Sequence, residues 1–529
     1  MKKAIGVVVG VVVVVGAAWT AGAWYTGKRL EDIVRQQVAD GNARLQKLFP
    51  GGEVTLALDT LERHVFSTDI VTRIRIHGGP GAKPPAGDED VIDIASHVGH
   101  GPFPLQRLRK GQLAPMMAAG TFQLQENDTV RPWFALTQGV PPVSGTAVVS
   151  YTQAVAGHLR IEPVKVARDD AALDFSGLSM DYSQDADKHA RADGAIDSVV
   201  FKTLKGEAPG QVEITGVTLA SDMRPGPADL QIGTTALGAK RVALSLAGGA
   251  PVTLSDYRQR TEVGEDKGLL GVHAAYDVAM VNIGGRDIGT AQLALGAKNL
   301  APEAIKSLAS LYGRLWSRAM DQTQAKDGVP AEPALTPEEQ ALALSARDAL
   351  LAANPNLYID PILLKTAHGE ARFTLNLDLA KPEKADLPLD ERIAQTLRKL
   401  DARASLAQPL LADLLAGNMQ RDGMDAAAAS AQAQALAAVM GKAAASSGYA
   451  TVQGTDIVST LHYADRVVDL NGNKMPLDQF AGMVLQGVMG MMAQPDMDEP
   501  DEDEPDEDQP EDADPDSQQQ DQAPAAGRR

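Results

Sequence analysis

Residues 4–27 form an uncharged stretch at the start of the chain, bounded by Lys3 and Lys28 and rich in valine. About 20 apolar residues in a helix cross a hydrocarbon core of roughly 30 Å. Trp19 and Trp24 lie towards the far end of the stretch, where amphipathic rings prefer the membrane interface. The pattern therefore predicts an N-terminal membrane helix.

The same stretch also fits a cleaved signal peptide. Two lysines precede the apolar run, and Ala21-Gly22-Ala23 offers the small residues of a cleavage site. Bulky Trp19 and Trp24 crowd that site, which favours a retained anchor. Both alternatives export the chain, because long domains translocate largely regardless of flanking charge. We expect a single-pass protein of a bacterial inner membrane with the bulk of the chain in the periplasm.

A helical pattern follows the membrane segment. Apolar residues recur at near-helical spacing across residues 28–50, at Leu30, Ile33, Val34, Val38, Leu45 and Leu48. This spacing predicts a short amphipathic helix that leaves the membrane. Gly51-Gly52 is expected to end it.

Apolar and polar positions alternate with a period of two between residues 51 and 300. Val54, Leu56 and Leu58 alternate with polar or small residues, and 272–280 follows the same rule. Such runs predict half-buried antiparallel strands. Helical runs of 10–15 residues do not separate them, which argues against a doubly wound sheet and its cofactor site.

Helical and strand patterns mix between residues 301 and 493. Thr336-Pro337-Glu338-Glu339 has the sequence of a capping box with proline at the first helical position. The predicted helices cover 302–324, 337–353, 410–418, 426–445 and 476–492, and the predicted strands cover 357–363, 371–379, 400–406, 456–463 and 466–470. The fold class is therefore α+β: an N-terminal membrane helix, then a large, mainly antiparallel β-sheet domain with inserted helical hairpins.

Negative charge is concentrated at the end of the chain. The net charge is -20, and the segment from Pro495 onward holds fifteen acidic residues and two arginines. Residues 494–529 are predicted to be a disordered acidic tail. The rest of the chain has no basic stripe, which excludes nucleic acid as the expected partner. Cysteine is absent, which removes thiolate catalysis and Cys-ligated metal centres.

Two short stretches resemble metal sites. His97 and His100 are three residues apart, but Gly99 and Gly101-Pro102 prevent a helix that would carry both on one face, so a strand end and turn are predicted. Asp469 begins a calcium-like loop, which fails because Lys474 stands where glycine is needed and Phe480 where glutamate is needed. A tight turn explains Asn471-Gly472 better.

Motifs for catalysis and cofactor binding are also missing from the chain. It contains no Gly-x-Ser-x-Gly elbow, Walker loop, dinucleotide fingerprint or His-Glu-x-x-His sequence. We therefore predict no catalytic, cofactor-binding or metal-binding residues, no cofactor, and no enzymatic activity.

Several motifs in order and spacing carry a resemblance. They are Gly22-Ala23-Trp24-Tyr25-Thr26-Gly27-Lys28, Arg63-His64-Val65-Phe66-Ser67, His100-Gly101-Pro102-Phe103-Pro104-Leu105, Leu461-His462-Tyr463-Ala464, and Leu470-Asn471-Gly472-Asn473-Lys474-Met475-Pro476-Leu477. Together they resemble the YdgA-like family of bacterial envelope proteins over residues 1–492. The resemblance implies an inner-membrane location, a periplasmic domain and a homodimer, and it brings no catalytic residues. The acidic tail departs from the family pattern.

Two functions fit these observations. The first is a non-enzymatic scaffold or interaction protein of the cell envelope, since no acid/base or nucleophile constellation is found. The alternative is a carrier for lipid or another hydrophobic ligand, which would use an apolar groove on the curved sheet. The two differ in whether the helices around 302–353 and 408–445 cover the apolar face of the sheet.

Overall fold

A computed structural model describes residues 35, 38–43, 45, 54–64, 67–76, 90–100, 104–114, 116–205, 209–325, 335–384, 388–421 and 423–483. The predicted membrane segment at 4–27 and the acidic tail lie outside these residues. Within the described ranges, no helix combines the length and the apolar character needed to cross a bilayer. Residues up to Pro476 cluster as one unit, and the unit that follows is described only as a helical stretch at 477–483.

Twenty-two strands of the described residues form one sheet. Strands β1 to β22 cover Val54–Arg63, Ser67–Ile76, Asp90–His100, Ala118–Gln125, Val143–Val149, Val155–Ile161, Val164–Ala167, Ala171–Phe175, Leu178–Gln184, Ala190–Thr203, Gly210–Pro225, Gln231–Leu246, Val252–Asp266, Leu269–Ile283, Arg286–Leu300, Asn356–Thr366, Gly369–Leu379, Leu397–Ala407, Thr451–Gln453, Asp456–Ala464, Val467–Leu470 and Asn473–Pro476. Helices α1 to α7 cover Leu105–Arg109, Arg131–Leu136, Pro302–Ala325, Pro337–Ala352, Leu389–Thr396, Gln408–Arg421 and Ala426–Ser446.

Each hydrogen-bonded pair of these strands is antiparallel. Strands β1 to β6 pair in chain order, and β6 then pairs with β9. The order continues from β9 through β10 to β18, then to β20, β21 and β22. Strand β9 pairs with residues 190–195 of β10, and β8 pairs with residues 199–203 of the same strand. Strand β7 pairs with β8, and β19 pairs with β20. A long meander of this kind needs no crossover connections.

The main hydrophobic core lies on one face of β1 to β6 and β9. Ile74, Ile92 and Leu159 are buried there. Phe134 of α2 and Leu45 of the helical stretch near residues 38–45 pack onto the same cluster. Burying one such side chain stabilises the fold by roughly 1.5–3 kcal/mol. These two helical segments therefore cover the core face of β1 to β6 and β9.

The face that holds this core continues into the long strands that follow. Paired residues of antiparallel neighbours share a face. One such row runs through Leu159, Met180, Gly194, Leu219, Leu237, Gln259 and Tyr276. Strands β10 to β15 have 14 to 16 residues each, and most of their side chains are only half-buried. The core face therefore loses its cover in the second part of the sheet.

Two helix pairs interrupt the second part of the meander. Helices α3 and α4 lie between β15 and β16, and α6 and α7 lie between β18 and the next strands. Because successive strands run in opposite directions, the two pairs lie at opposite ends of the strands. In α4, Thr336 and Glu339 form a capping box. Between α6 and α7, a run of alanines including Ala429 and Ala433 is fully buried.

The structure confirms the mainly antiparallel sheet predicted from period-two alternation. It also confirms the helix start at Thr336, the alanine-rich helix pair and the turn at Asn471-Gly472. Helix α5 was not predicted, and β18 begins three residues before the predicted start at Leu400. The described residues of the predicted amphipathic helix at 28–50 are helical.

Candidate functional site: an open apolar face

Strands β15, β16, β17, β18 and β20 carry four rows of cross-strand neighbours on the face that continues from the core. The first row holds Ala291, Leu364, Ala371, Leu406 and Ile457; the second Leu293, Ile362, Phe373, Ala404 and Ser459; the third Leu295, Ile359, Leu375, Ala402 and Leu461; the fourth Ala297, Leu357, Leu377, Leu400 and Tyr463. We call this surface the apolar face. Its only polar groups are the hydroxyls of Ser459 and Tyr463.

The sequence builds this face by alternation with one irregularity. Side chains on a strand alternate between faces, so residues two apart lie together. Ile359 and Ile362 are three apart, yet both have partners on the apolar face. The register shift between them, at the cis peptide bond Asp360-Pro361, removes one step of alternation and keeps both isoleucines on the same side.

Large side chains of the apolar face remain open to solvent. Ile362 is 46% exposed, Leu295 39% and Leu357 37%. A groove of about 530 Å³ runs over this surface, and its lining includes Phe373 and Leu406. Contiguous exposed apolar surface on a folded protein commonly marks an interaction site.

Helices of both pairs contact turns that connect strands of the sheet. Lys306 of α3 reaches Asp229 in the turn between β11 and β12. Asp413 of α6 is hydrogen-bonded to His368 in the turn between β16 and β17. Helix α7 also approaches the first row, where the Cβ position of Gly441 lies 3.4 Å from Cδ1 of Ile457. Among the described residues, Ile362, Leu295 and Leu357 nevertheless remain exposed on this face.

The opposite face of the same strands is polar. One row crosses seven strands through His273, Gly296, Tyr358, Asn376, Asp401, His462 and Asp469. Part of this row lines a crevice of about 690 Å³. The sheet is therefore amphipathic, with apolar and polar rows on opposite sides.

Polar groups of that crevice already have partners. Tyr358 lies against Gly296, and its hydroxyl is 3.1 Å from Nδ1 of His273; burial raises the pKa of Tyr358. Partial burial of Asp401 opposes its ionisation, but hydrogen bonds from Lys399 and His462 hold the pKa of this carboxyl below its usual value. These contacts fit a satisfied surface network better than a site that awaits a ligand.

His97 and His100, the two histidines considered for a metal site, both belong to β3. His97 lies on β3, with Nδ1 2.5 Å from one oxygen of Asp69, while Nε2 of His64 lies 3.1 Å from the other oxygen. No local sequence pattern indicates that His64 joins this carboxylate. The side chain of His100 lies outside the described residues. No group of three or more metal-ligating side chains is assembled in the described part of the chain.

The calcium-like stretch is a hairpin turn. Asn471 and Gly472 have φ values of 55° and 90°, and the amide of Gly472 donates to Asp469 at 2.8 Å. These left-handed residues suit the tight connection between β21 and β22.

Comparison with known proteins gives relatives along nearly the whole chain. Residues 1–478 match the family model described as "Bacterial protein of unknown function (DUF945)". Protein YdgA of Escherichia coli K12 is 26% identical over 94% of this chain and 99% of its own length, and the uncharacterized protein YihF of the same strain is 22% identical over 89% and 97%. An uncharacterized protein of Haemophilus influenzae is 26% identical over 35% of this chain and 50% of its own length. No solved structure matches.

Proposed function

The chain belongs to the DUF945 family of bacterial proteins of unknown function, the YdgA-like family, and we propose that it carries a lipid by binding an acyl chain on its open apolar face. The observation that carries the proposal is the exposure of aliphatic side chains such as Ile362 and Leu295 on a surface that is continuous with the core. The proposed role is binding without catalysis.

The dimensions of the apolar face suit an acyl chain. Successive rows are two residues apart along each strand, about 6.7 Å, so the four rows span about 20 Å. One leaflet of a bilayer core, half of roughly 30 Å, is about 15 Å thick. Each methylene that leaves water contributes about 0.8 kcal/mol, so an extended chain across the rows gains several kcal/mol without any polar contact.

The proposal includes an N-terminal membrane anchor at residues 4–24 and a periplasmic location for the sheet. The uncharged stretch, its interfacial tryptophans and the predicted helix at 28–50 support it. An anchored sheet would stay next to the bilayer that supplies its lipid. The test is the N-terminal sequence of the mature protein: an intact Met1 or Lys2 supports the anchor, and a terminus at Trp24 contradicts it.

Photocrosslinking in intact cells tests the binding role. A benzophenone amino acid replaces Leu375, in the third row, and the adducts of the full-length chain are identified by mass spectrometry. We expect lipid adducts. Ile362→Glu places a charge beside the probe and should reduce them strongly, whereas Thr374→Glu adds the same charge on the other face and should not. The absence of lipid adducts at Leu375 would overturn the proposal.

The alternative is the scaffold role, with a second copy of the chain as the partner. The same open face favours it, since apolar surface of this kind can be covered by protein as well as by lipid. In the crosslinking experiment, covalent dimers formed through position 375 would support this alternative and contradict the carrier.

A further inference from the structure

A mixed-charge crevice lies beyond one end of the apolar face. It has a volume of about 490 Å³ and lies between α4, residues 381–383 and α5. We propose that this crevice binds the headgroup of a zwitterionic phospholipid, with a phosphate and a primary ammonium. The inference rests on the proposed lipid-carrier function and extends it from the acyl chain to the headgroup.

The crevice is continuous with the apolar face through one residue pair. The fourth row contains the neighbours Leu377 and Leu400. Two residues further along β17, Leu379 pairs with Leu397 of β18. A register shift before this pair leaves Arg398 without a partner strand residue. Leu397 also lines the crevice, together with Leu351 of α4. An acyl chain on the rows would therefore bring its polar end to this place.

Positive charge in the crevice exceeds what its carboxylates neutralise. Asp348 accepts from Arg347 at 2.8 Å and lies 3.4 Å from Nζ of Lys381, so two cations share one carboxylate. The hydrogen bond from Arg347, with help from Lys381, lowers the pKa of Asp348 against the effect of burial. This group of three keeps a net charge of +1 at neutral pH.

Two further charged side chains line the crevice without partners of their own. Arg392 of α5 and Glu383 make no side-chain hydrogen bond or ion pair with any residue that the structure describes. They are not paired with each other, although both line the same space. One unpaired cation and one unpaired carboxylate are thus left for a ligand.

A zwitterionic headgroup satisfies both groups at once. Its phosphate would accept charge-assisted hydrogen bonds from Arg392, with Arg347 and Lys381 adding attraction, because guanidinium groups match phosphate geometry. Its ammonium would donate to Glu383. A headgroup with only negative charge would leave Glu383 facing an anion, which is unfavourable. The crevice therefore favours a headgroup with both charges.

The experiment extends the crosslinking at Leu375 and compares the headgroups of the adducts with those of the cell's lipids. The wild-type adducts should be enriched in phosphatidylethanolamine over phosphatidylglycerol. Glu383→Gln should lower that ratio to the value of the membrane. Arg392→Gln should reduce phospholipid adducts by about tenfold, which corresponds to one charge-assisted hydrogen bond. Arg398→Gln removes the same charge outside the crevice and should change neither quantity.

The outcomes separate this inference from the function on which it rests. Lipid adducts without headgroup enrichment, or variants with unchanged ratios, would overturn the headgroup site and leave the carrier function intact. No lipid adduct would overturn both. Isothermal titration of the purified full-length chain with inorganic phosphate separates the two sources of phosphate. Saturable binding that is lost in Arg392→Gln would assign the crevice to free phosphate and contradict the headgroup proposal.

Discussion

The side-chain amide of Asn42 forms two hydrogen bonds with the backbone of Leu56. Its Nδ2 donates to the carbonyl oxygen of Leu56 at 2.9 Å, and its Oδ1 accepts from the amide of Leu56 at 2.7 Å. Leu56 lies on β1, whose other side pairs with β2. Asn42 therefore attaches the helical stretch to the free side of the first strand, and Leu45 in the same stretch is buried in the core.

Loss of this amide should destabilise the N-terminal part of the sheet. Asn42→Ala leaves both backbone groups of Leu56 without their partner, and one unsatisfied buried polar group costs about 1–3 kcal/mol. Urea unfolding followed by tryptophan fluorescence measures the change. Asn42→Asp keeps the acceptor for the Leu56 amide and should cost less. Equal stability of Asn42→Ala and the wild type would show that this attachment contributes nothing.

The first turn of α4 should lose stability in acid. A hydrogen bond from Arg318, followed by the backbone amide of Thr336, lowers the pKa of Glu339 to about 2 from its usual 4.5. Because the folded-state pKa is depressed, the stabilisation is complete above about pH 4.5 and disappears as the pH falls towards 2. Thermal unfolding between pH 6 and pH 2 should show this loss, and Glu339→Gln should show a flatter profile. Identical profiles for the two chains would contradict the assignment.

Local sequence signals predicted the elements that depend on local chemistry. The cap at Thr336, the alanine-rich helices and the Asn471-Gly472 turn each follow from a few neighbouring residues. The apolar face could not be predicted in this way. Ile359 and Ile362 belong to its third and second rows. Simple alternation places residues three apart on opposite faces, so it cannot predict the register shift that puts both on one face.

The sequence pattern also does not predict that this face is exposed to solvent. Alternation predicts that one side of β16 and β17 is apolar, and an apolar side is normally expected to be covered. Whether α3 to α7 cover it depends on where those helices dock. Contacts such as Lys306 with Asp229 and His368 with Asp413 place α3 and α6 against turns of the sheet, and both pairs join residues far apart in the chain.

The side chain of Asn471 should stabilise the β21–β22 hairpin in addition to the effect of its turn conformation. Its Oδ1 accepts from the amide of Thr460 at 2.8 Å, and its Nδ2 donates to the carbonyl of Gly448 at 3.0 Å. Asn471→Ala loses both bonds and the tolerance for a positive φ, so we expect a loss of about 1–3 kcal/mol in the free energy of unfolding. Asn471→Asp keeps one bond and the backbone tolerance.

Gly472 provides an independent check of the same turn. With φ at 90°, an alanine there should cost roughly 1–2 kcal/mol, while Gly472→Asn should cost less, because asparagine adopts left-handed conformations more readily. Hydrogen exchange of the amides in β21 and β22 reports the local loss. Unchanged protection in Gly472→Ala would mean that the turn does not adopt this conformation.

Matched truncations distinguish the covered part of the sheet from the open part. Leu159 is 2% exposed in the core, so Leu159→Ala should cost about 2–5 kcal/mol of unfolding free energy. Ile362 is 46% exposed on the apolar face, so Ile362→Ala should cost about 1 kcal/mol or less. Urea unfolding of lipid-stripped protein measures both. If Ile362→Ala cost as much as Leu159→Ala, the apolar face would be covered by the protein itself, and the carrier proposal would lose its binding surface. If its cost rose only after lipid was restored, the difference would report the contacts that Ile362 makes with the bound acyl chain.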